Sequence, residues 1–139
     1  MVYIPRNPTK IAKKKKAKFR NKIVYAQGKK FDSIKERDRW FYLKDCQRVG
    51  KIRNLRQQVT FKLDVNGDKV TTYRADFTYQ KRWPNNHDAG TTPDGWMKIV
   101  EDVKSKPTAA LEAFKIKMAL MKAVHGIDVR LVYEPTLPI

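Results

Sequence analysis

Residues 59–79 read VTFKLDVNGDKVTTYRADFTY, and residues 96–105 read WMKIVEDVKS. In the first stretch apolar and polar residues alternate on both sides of Asn66-Gly67. Asn and Gly tolerate the positive φ that a two-residue hairpin turn demands, so two long antiparallel strands are predicted. The second stretch reads as a buried strand, and between them residues 81–95, KRWPNNHDAGTTPDG, form a polar link rich in turn residues.

Working outward, KIVYAQGKKFDS at 22–33 holds an apolar run, a turn signal at Gly28 and a second short extended piece, consistent with a small hairpin. Asp32 or Ser33 then serves as an N-cap. Glu36, three residues after Ser33, completes a capping-box pattern. The helix runs to about Val49 with Gly50 as its stop, and Trp40, Phe41, Leu43 and Val49 give it a core face. After the third strand, Lys106-Pro107-Thr108 opens a helix in which Ala110, Phe114, Met118 and Met121 recur at helical spacing, and Gly126 ends it. IDVRLVYE at 127–134 alternates again as a last strand. The order α, β, β, β, α, β defines an α/β protein with a mixed sheet and helices packed on it.

A chain of 139 residues encloses one such domain. No apolar run approaches the ~20 residues that span a bilayer, and residues 11–20 lack the apolar stretch of an export signal, so a soluble cytoplasmic protein is expected. Cys46 is the sole cysteine. It excludes an internal disulfide and a thiolate metal cluster, leaving oxygen ligands as the metal chemistry. The formal net charge is +17, and Met1 to Phe31 holds eleven Lys or Arg with no Asp or Glu. Residues 1–20 are therefore expected to be a flexible basic arm ahead of a domain at 21–139. Such an arm gains by releasing counterions from phosphates, through Lys13, Lys14, Lys15, Lys16, Lys18 and Arg20. Nucleic acid is the expected partner; a solubilising tail or an anionic-lipid patch explains the charge less well, because no amphipathic anchor accompanies it.

Asp76 falls late in the second hairpin strand, and Asp102 and Lys104 lie two apart near the end of the next. Side chains alternate along a strand, so Asp102 and Lys104 share a face while Glu101 takes the other. If the strands are neighbours, Asp76 and Asp102 can share one hard cation such as Mg²⁺, with Mn²⁺ able to substitute. Lys104 would then orient a water and offset charge growing on phosphorus. A carboxylate and a lysine two apart on a strand are common by chance, and a structural ion pair is the competing reading. A central strand is a costly place for one, which favours the metal site.

The succession KFDSIKERDRW (30–40), NLRQQVTFKL (54–63), YRADFTY (73–79) and IVEDVKS (99–105) resembles the phage-type endonuclease family of the PD-(D/E)xK superfamily. The resemblance covers nearly everything from Lys18 to Glu134. It implies a restriction-endonuclease-like fold, with Asp76 and Asp102 as metal-binding acids and Lys104 as the catalytic lysine. It further implies that Glu36 reaches the metal, directly or through water, and that Gln58 stands near it on the preceding strand. With the Val103 backbone carbonyl, the expected metal ligands are Asp76, Asp102, Val103 and Glu36. Ala75 stands where the superfamily name has proline, the second acid is aspartate rather than glutamate, and the link at 81–95 is long for the family.

The implied activity is endonucleolytic cleavage of duplex or branched DNA, with a lean towards Holliday-junction resolution in phage recombination or DNA processing. The resemblance also suggests a homodimer, and for a phage-encoded chain the bacterial host cytoplasm. A basic nucleic-acid-binding protein without catalysis is the reading from another class, but it leaves the converging acids unexplained. Arg82, Trp83 and His87 edge either a substrate-contacting loop or an exposed hairpin extension. His87 and His125 are too isolated for a zinc site, and local carbonyls are expected to satisfy His125. Trp40, Phe41 and Phe114 are expected in the core rather than stacked on bases. Lys106, Lys115, Lys117 and Lys122 line either the DNA path or a solvated helix face.

Overall fold

The computed structural model describes residues 22–82 and 94–139. The basic arm, with Lys13 to Lys16, Lys18 and Arg20, lies outside them, as do Trp83 and His87 of the link. Two short strands, β1 (Val24–Ala26) and β2 (Lys29–Phe31), pair as the antiparallel hairpin expected around Gly28. Helix α1 (Ile34–Arg48) follows. Its N-cap is Ser33, whose hydroxyl accepts the Glu36 N–H at 3.0 Å, and Glu36 reaches back to the Asp32 N–H at 3.2 Å. One of the orphan donors of the first turn, the Glu36 N–H, is thereby satisfied, and the Asp32 N–H just ahead of the cap is satisfied with it.

Strands β3 (Ile52–Val65) and β4 (Asp68–Arg82) form the long hairpin, turning at Asn66-Gly67 with φ of 51° and 83°. β4 pairs antiparallel with β5 (Trp96–Val103), and β5 pairs parallel with β6 (Arg130–Val132), giving a mixed sheet in the order β3-β4-β5-β6. The predicted mixed sheet is present. Neighbouring residues of β5 feed different cores: Ile99 packs on a cluster of Phe31, Trp40, Leu43, Cys46, Ile52, Phe77 and Tyr79, whereas Val100 belongs to one of Phe61, Leu63, Tyr73, Ala75 and Met121. Alternation puts those clusters on opposite faces of the sheet at β5, one under α1 and the other under α3 (Glu112–His125). Cys46 is buried in α1, and Trp40 is a core residue. Among the described residues no helix is long and apolar enough to cross a membrane.

Several expectations are corrected. The buried stripe of α1 is Glu36, Arg39, Trp40, Leu43 and Cys46. Phe41 stands one residue, about 100°, off that stripe and is 36% exposed, and Val49 beyond the last turn is 56% exposed. The helix opened by Lys106-Pro107 ends after one turn as α2 (Lys106–Ala109); Leu111 takes an extended conformation (ψ 134°) before α3 starts at Glu112. Phe114 and Met118 are half-buried beside buried Met121, and the Gly126 N–H closes α3 on the Lys122 carbonyl with φ of 66°. β6 keeps only three of the eight residues predicted for it. Beyond Val132 the chain turns back because the carbonyls of Pro135 and Leu137 are held by Arg39.

Arg39 is the largest fully buried side chain among the described residues, and the sequence gives no sign of its place in the core. Its Nε and Nη2 donate to Glu101 on β5 at 2.9 and 2.6 Å, while Nη1 serves the two C-terminal carbonyls. Both side chains of the pair are 0% exposed. Tyr79 donates to Glu101 Oε1 at 2.5 Å, and Arg130 lies 3.6 Å away. Removing one partner strands the other charge in the core. Glu101→Gln is expected to lower unfolding free energy by about 3–5 kcal/mol, measured by urea denaturation. The Arg39→Met/Glu101→Leu double variant is expected to lose less than Glu101→Gln; an equal or larger loss would show that the pair itself, rather than an uncompensated charge, sets the cost.

Candidate active site

The site forms where β4, β5 and the start of α1 meet. The last β4–β5 ladder pair towards this end is Phe77↔Glu101, so Asp76 and Asp102 are the next residues out on each strand, where the ladder gives way. Instead of continuing the ladder, Asp76 Oδ2 accepts the Val103 N–H at 2.8 Å. The N–H and C=O of one strand residue project to the same side. The Val103 carbonyl therefore faces the β4 side as well, towards Asp76.

Asp102 is 1% exposed. Its Oδ2 accepts a 2.5 Å hydrogen bond from the Tyr73 hydroxyl. Oδ1 accepts none: Lys104 Nζ stands 3.0 Å away as an ion pair, at an angle unsuited to donation. Lys104 follows directly after β5, with its ammonium also 4.8 Å from the Phe114 ring centre. Burial, the Asp102 charge and the Glu36 charge, in that order, raise Asp76 from its ordinary 3.8 to about 8, against the Val103 hydrogen bond that lowers it; a hydrogen bond of the protonated Asp76 with the Asp102 side chain adds to the rise. Burial and the adjoining Asp102 charge hold the Tyr73 hydroxyl far above its ordinary range, so it stays a proton donor to the carboxylate.

Glu36 is 3% exposed, and Gln58 Nε2 donates to its Oε1 at 2.7 Å. Burial is the main cause that raises its pKa, with the Asp32 and Asp102 charges adding to it. Gln58 holds a left-handed conformation (φ 56°) within β3, between the ladder pairs Gln57↔Phe77 and Val59↔Ala75. A non-glycine residue there costs roughly 1–3 kcal/mol, and such strain concentrates at functional positions.

Asp76, Asp102, Val103, Lys104, Glu36 and Gln58 thus gather at the C-terminal end of β5, against the middle of β3 and β4. Glu36 is turned to Gln58 and the Asp32 N–H, and among the described residues no three acidic, histidine or cysteine side chains already converge as a metal-ligand group. The donor set nevertheless fits a hard cation, because an orphaned buried oxygen of Asp102 and a crowded, proton-holding Asp76 both gain from one. His125 takes no part: its Nε2 lies 2.7 Å from the Lys62 carbonyl, a partner on β3 rather than at its own helix end. Lys122 pairs with Asp128 at 2.6 Å. Lys106 opens α2 just past the site. Tyr73 was missed from sequence; the one hint was its place three residues before Asp76 within YRAD.

The fold and this cluster define a mixed α/β protein in which a buried and a half-buried carboxylate stand beside a lysine at a strand end. The chain belongs to the family described as a protein of unknown function (DUF1064), whose model matches residues 16–133. No curated protein and no solved structure matches it.

A carboxyl whose folded pKa is raised binds its proton more tightly folded than unfolded between pH ~4 and 8, so stability falls as pH rises through that window. Asp76→Asn is expected to flatten this slope and to stabilise the metal-free protein at pH 8 by about 1–3 kcal/mol, measured by thermal denaturation across pH. An unchanged slope would exclude Asp76 as its source.

Proposed function

We propose that this chain is a metal-dependent DNA endonuclease that hydrolyses phosphodiester bonds with Asp76, Asp102 and Lys104. The observation that carries this reading is the convergence of a buried acid, a half-buried acid and a lysine, one acid oxygen lacking a hydrogen-bond donor, in a protein of net charge +17. Free carboxylates repel phosphate unless a cation intervenes. The four motifs that resemble the phage-type endonucleases of the PD-(D/E)xK superfamily supply the same residues in the same roles, and the mixed sheet with α1 and α3 on its faces suits a restriction-endonuclease-like core.

Asp76 and Asp102, with the Val103 carbonyl and Glu36, would hold Mg²⁺ or Mn²⁺. The cation, when bound, supplies the charge that polarises the scissile phosphate and acidifies the attacking water. Tyr73 fixes Asp102 through Oδ2, so that Oδ1, beside Lys104, would be the oxygen offered to a cation. The Lys104 ammonium orients the water and offsets charge as it develops on the phosphate oxygens. Gln58 fixes the rotamer of Glu36. Within this reading we favour branched DNA as substrate, cut in the manner of a Holliday-junction resolvase by a homodimer in the host cytoplasm during phage recombination or DNA processing. The basic arm and Lys106 would contribute sequence-independent phosphate contacts.

The test is cleavage of labelled four-way junction, flap, nicked and linear duplex DNA by wild type, Asp76→Asn, Asp102→Asn and Lys104→Ala, with Mg²⁺, Mn²⁺, Ca²⁺ or EDTA. Symmetric junction cutting with Mg²⁺ or Mn²⁺ is expected. Lys104→Ala should lower the rate by roughly 10²–10³, and the Asp variants should bind DNA without cutting it. Ca²⁺ should support binding with little cleavage. Cutting by the Asp variants would remove these residues from the site, and binding without cutting under every metal would establish the non-catalytic reading.

A further inference from the structure

Two clefts without acidic lining flank the carboxylates along β5. The first, about 260 Å³, opens on the sheet face between Asn54, Arg56, Thr78, Gln80 and Lys98. The register ties it to the site: Arg56 sits opposite Thr78, Thr78 opposite Val100, and Gln80 opposite Lys98. Thr78 and Gln80 follow Asp76 at two-residue steps, and Lys98 and Val100 precede Asp102 likewise, so these residues share the face of the acids. At ~3.3 Å per residue the Arg56–Thr78 row lies about 7 Å from the carboxylates, and Lys98 about 13 Å. Arg56 and Lys98 are exposed, and neither forms an ion pair among the described residues; Lys98 rests 5.0 Å from the Phe61 ring centre.

The second cleft opens past the other end of β5, between Ser33, Lys35, Lys104, Ser105 and Thr108. Lys35 is half-buried in the first turn of α1, and the Ser105 and Thr108 hydroxyls lie 2.7 Å apart. One small anion would call for these cations to converge. They are instead strung on both sides of the acid row, about 7–13 Å from it on the sheet side, on the scale of several ~3.4 Å nucleotide steps. Such spacing suits a charged polymer bridging the two clefts, its phosphates seated at either end and one held over the acids between them.

We infer that a DNA backbone passes over the carboxylates from one cleft to the other, with one phosphate held at Arg56 and Lys98 and another at Lys35, Ser105 and Thr108. The inference rests on the nuclease reading for the identity of the polymer. It adds the direction of the strand and residues outside the catalytic cluster.

The experiment is equilibrium binding of a fluorescent four-way junction and a duplex, in Ca²⁺, across a salt series. It compares the full chain with Arg56→Ala/Lys98→Ala, Lys35→Ala and, as control, Lys69→Ala near the remote hairpin turn. Each phosphate-neutralising cation removed should reduce the slope of log affinity against log salt by about 0.9. The double variant should therefore fall by about 1.8 and Lys35→Ala by about 0.9, with Lys69→Ala unchanged and all variants folded by circular dichroism. Slopes equal to wild type in the cleft variants would overturn the path, as would an equal fall for Lys69→Ala. Cleavage on the same DNA separates the two ideas. If wild type cuts while cleft variants bind normally, the path fails and the nuclease stands; if slopes fall as expected but nothing is cut under any metal, the path stands and the nuclease fails.

Discussion

The arrangement depends on a guanidinium removed from water. Arg39 sits between α1 and the sheet with both faces of its fork in use, two donors to Glu101 and one to carbonyls of the C-terminal turn. Burying both charges is costly, and attraction at hydrogen-bonding distance offsets that cost only when the remaining donors and lone pairs are satisfied. Here Tyr79 and Arg130 complete the shell around Glu101. Few alternative packings could satisfy the same set, so the pair fixes the angle of α1 on the sheet, the register of β5 and the return of the last residues. Burial pulls against the charge on Arg39, but the Glu101 bond and charge prevail and hold it protonated.

Glu101 and Asp102 are neighbours with opposite duties. One faces α1 and anchors the strand; the other faces the site, where it is braced by Tyr73 and left with an oxygen that accepts no hydrogen bond. Around that oxygen the protein carries a left-handed Gln58, a proton-holding Asp76 and a buried Glu36. Each is unfavourable in isolation. Together they form a local concentration of strain and like charge set against a rigid pair on the reverse face of the same strand, the expected division between a preorganised site and its scaffold.

The elements legible from sequence were those in which local chemistry and tertiary structure agree. Asn66-Gly67 marked its hairpin because few residue pairs adopt two positive φ values, and Ser33 with Glu36 marked the start of α1 because the cap is a local hydrogen bond. Asp76, Asp102 and Lys104 could be grouped because alternation fixes a face without knowledge of the fold. What remained hidden was settled at a distance. Arg39 reads as a solvent-facing helix residue, since its partners lie 62 and 96 residues away. Phe41 and Val49 read as core because they are apolar, although the buried stripe of α1 passes beside them. The interruption at Ala110-Leu111 lacks a glycine, and Pro107 already suits a first turn, so periodicity carried the helix straight through.

Side-chain alternation gives the adjoining acids of β5 a further role. A slip of one residue would place Glu101 in the site and Asp102 against Arg39, too short to reach it and leaving a buried guanidinium without its partner. Alignment of β5 is thus enforced from within the strand rather than by the segment that leads into it. The connection at 83–93 is thereby released from any duty to set the spacing of the carboxylates, and it can lengthen, shorten or change composition among descendants of this sequence while the geometry beside Lys104 is inherited intact.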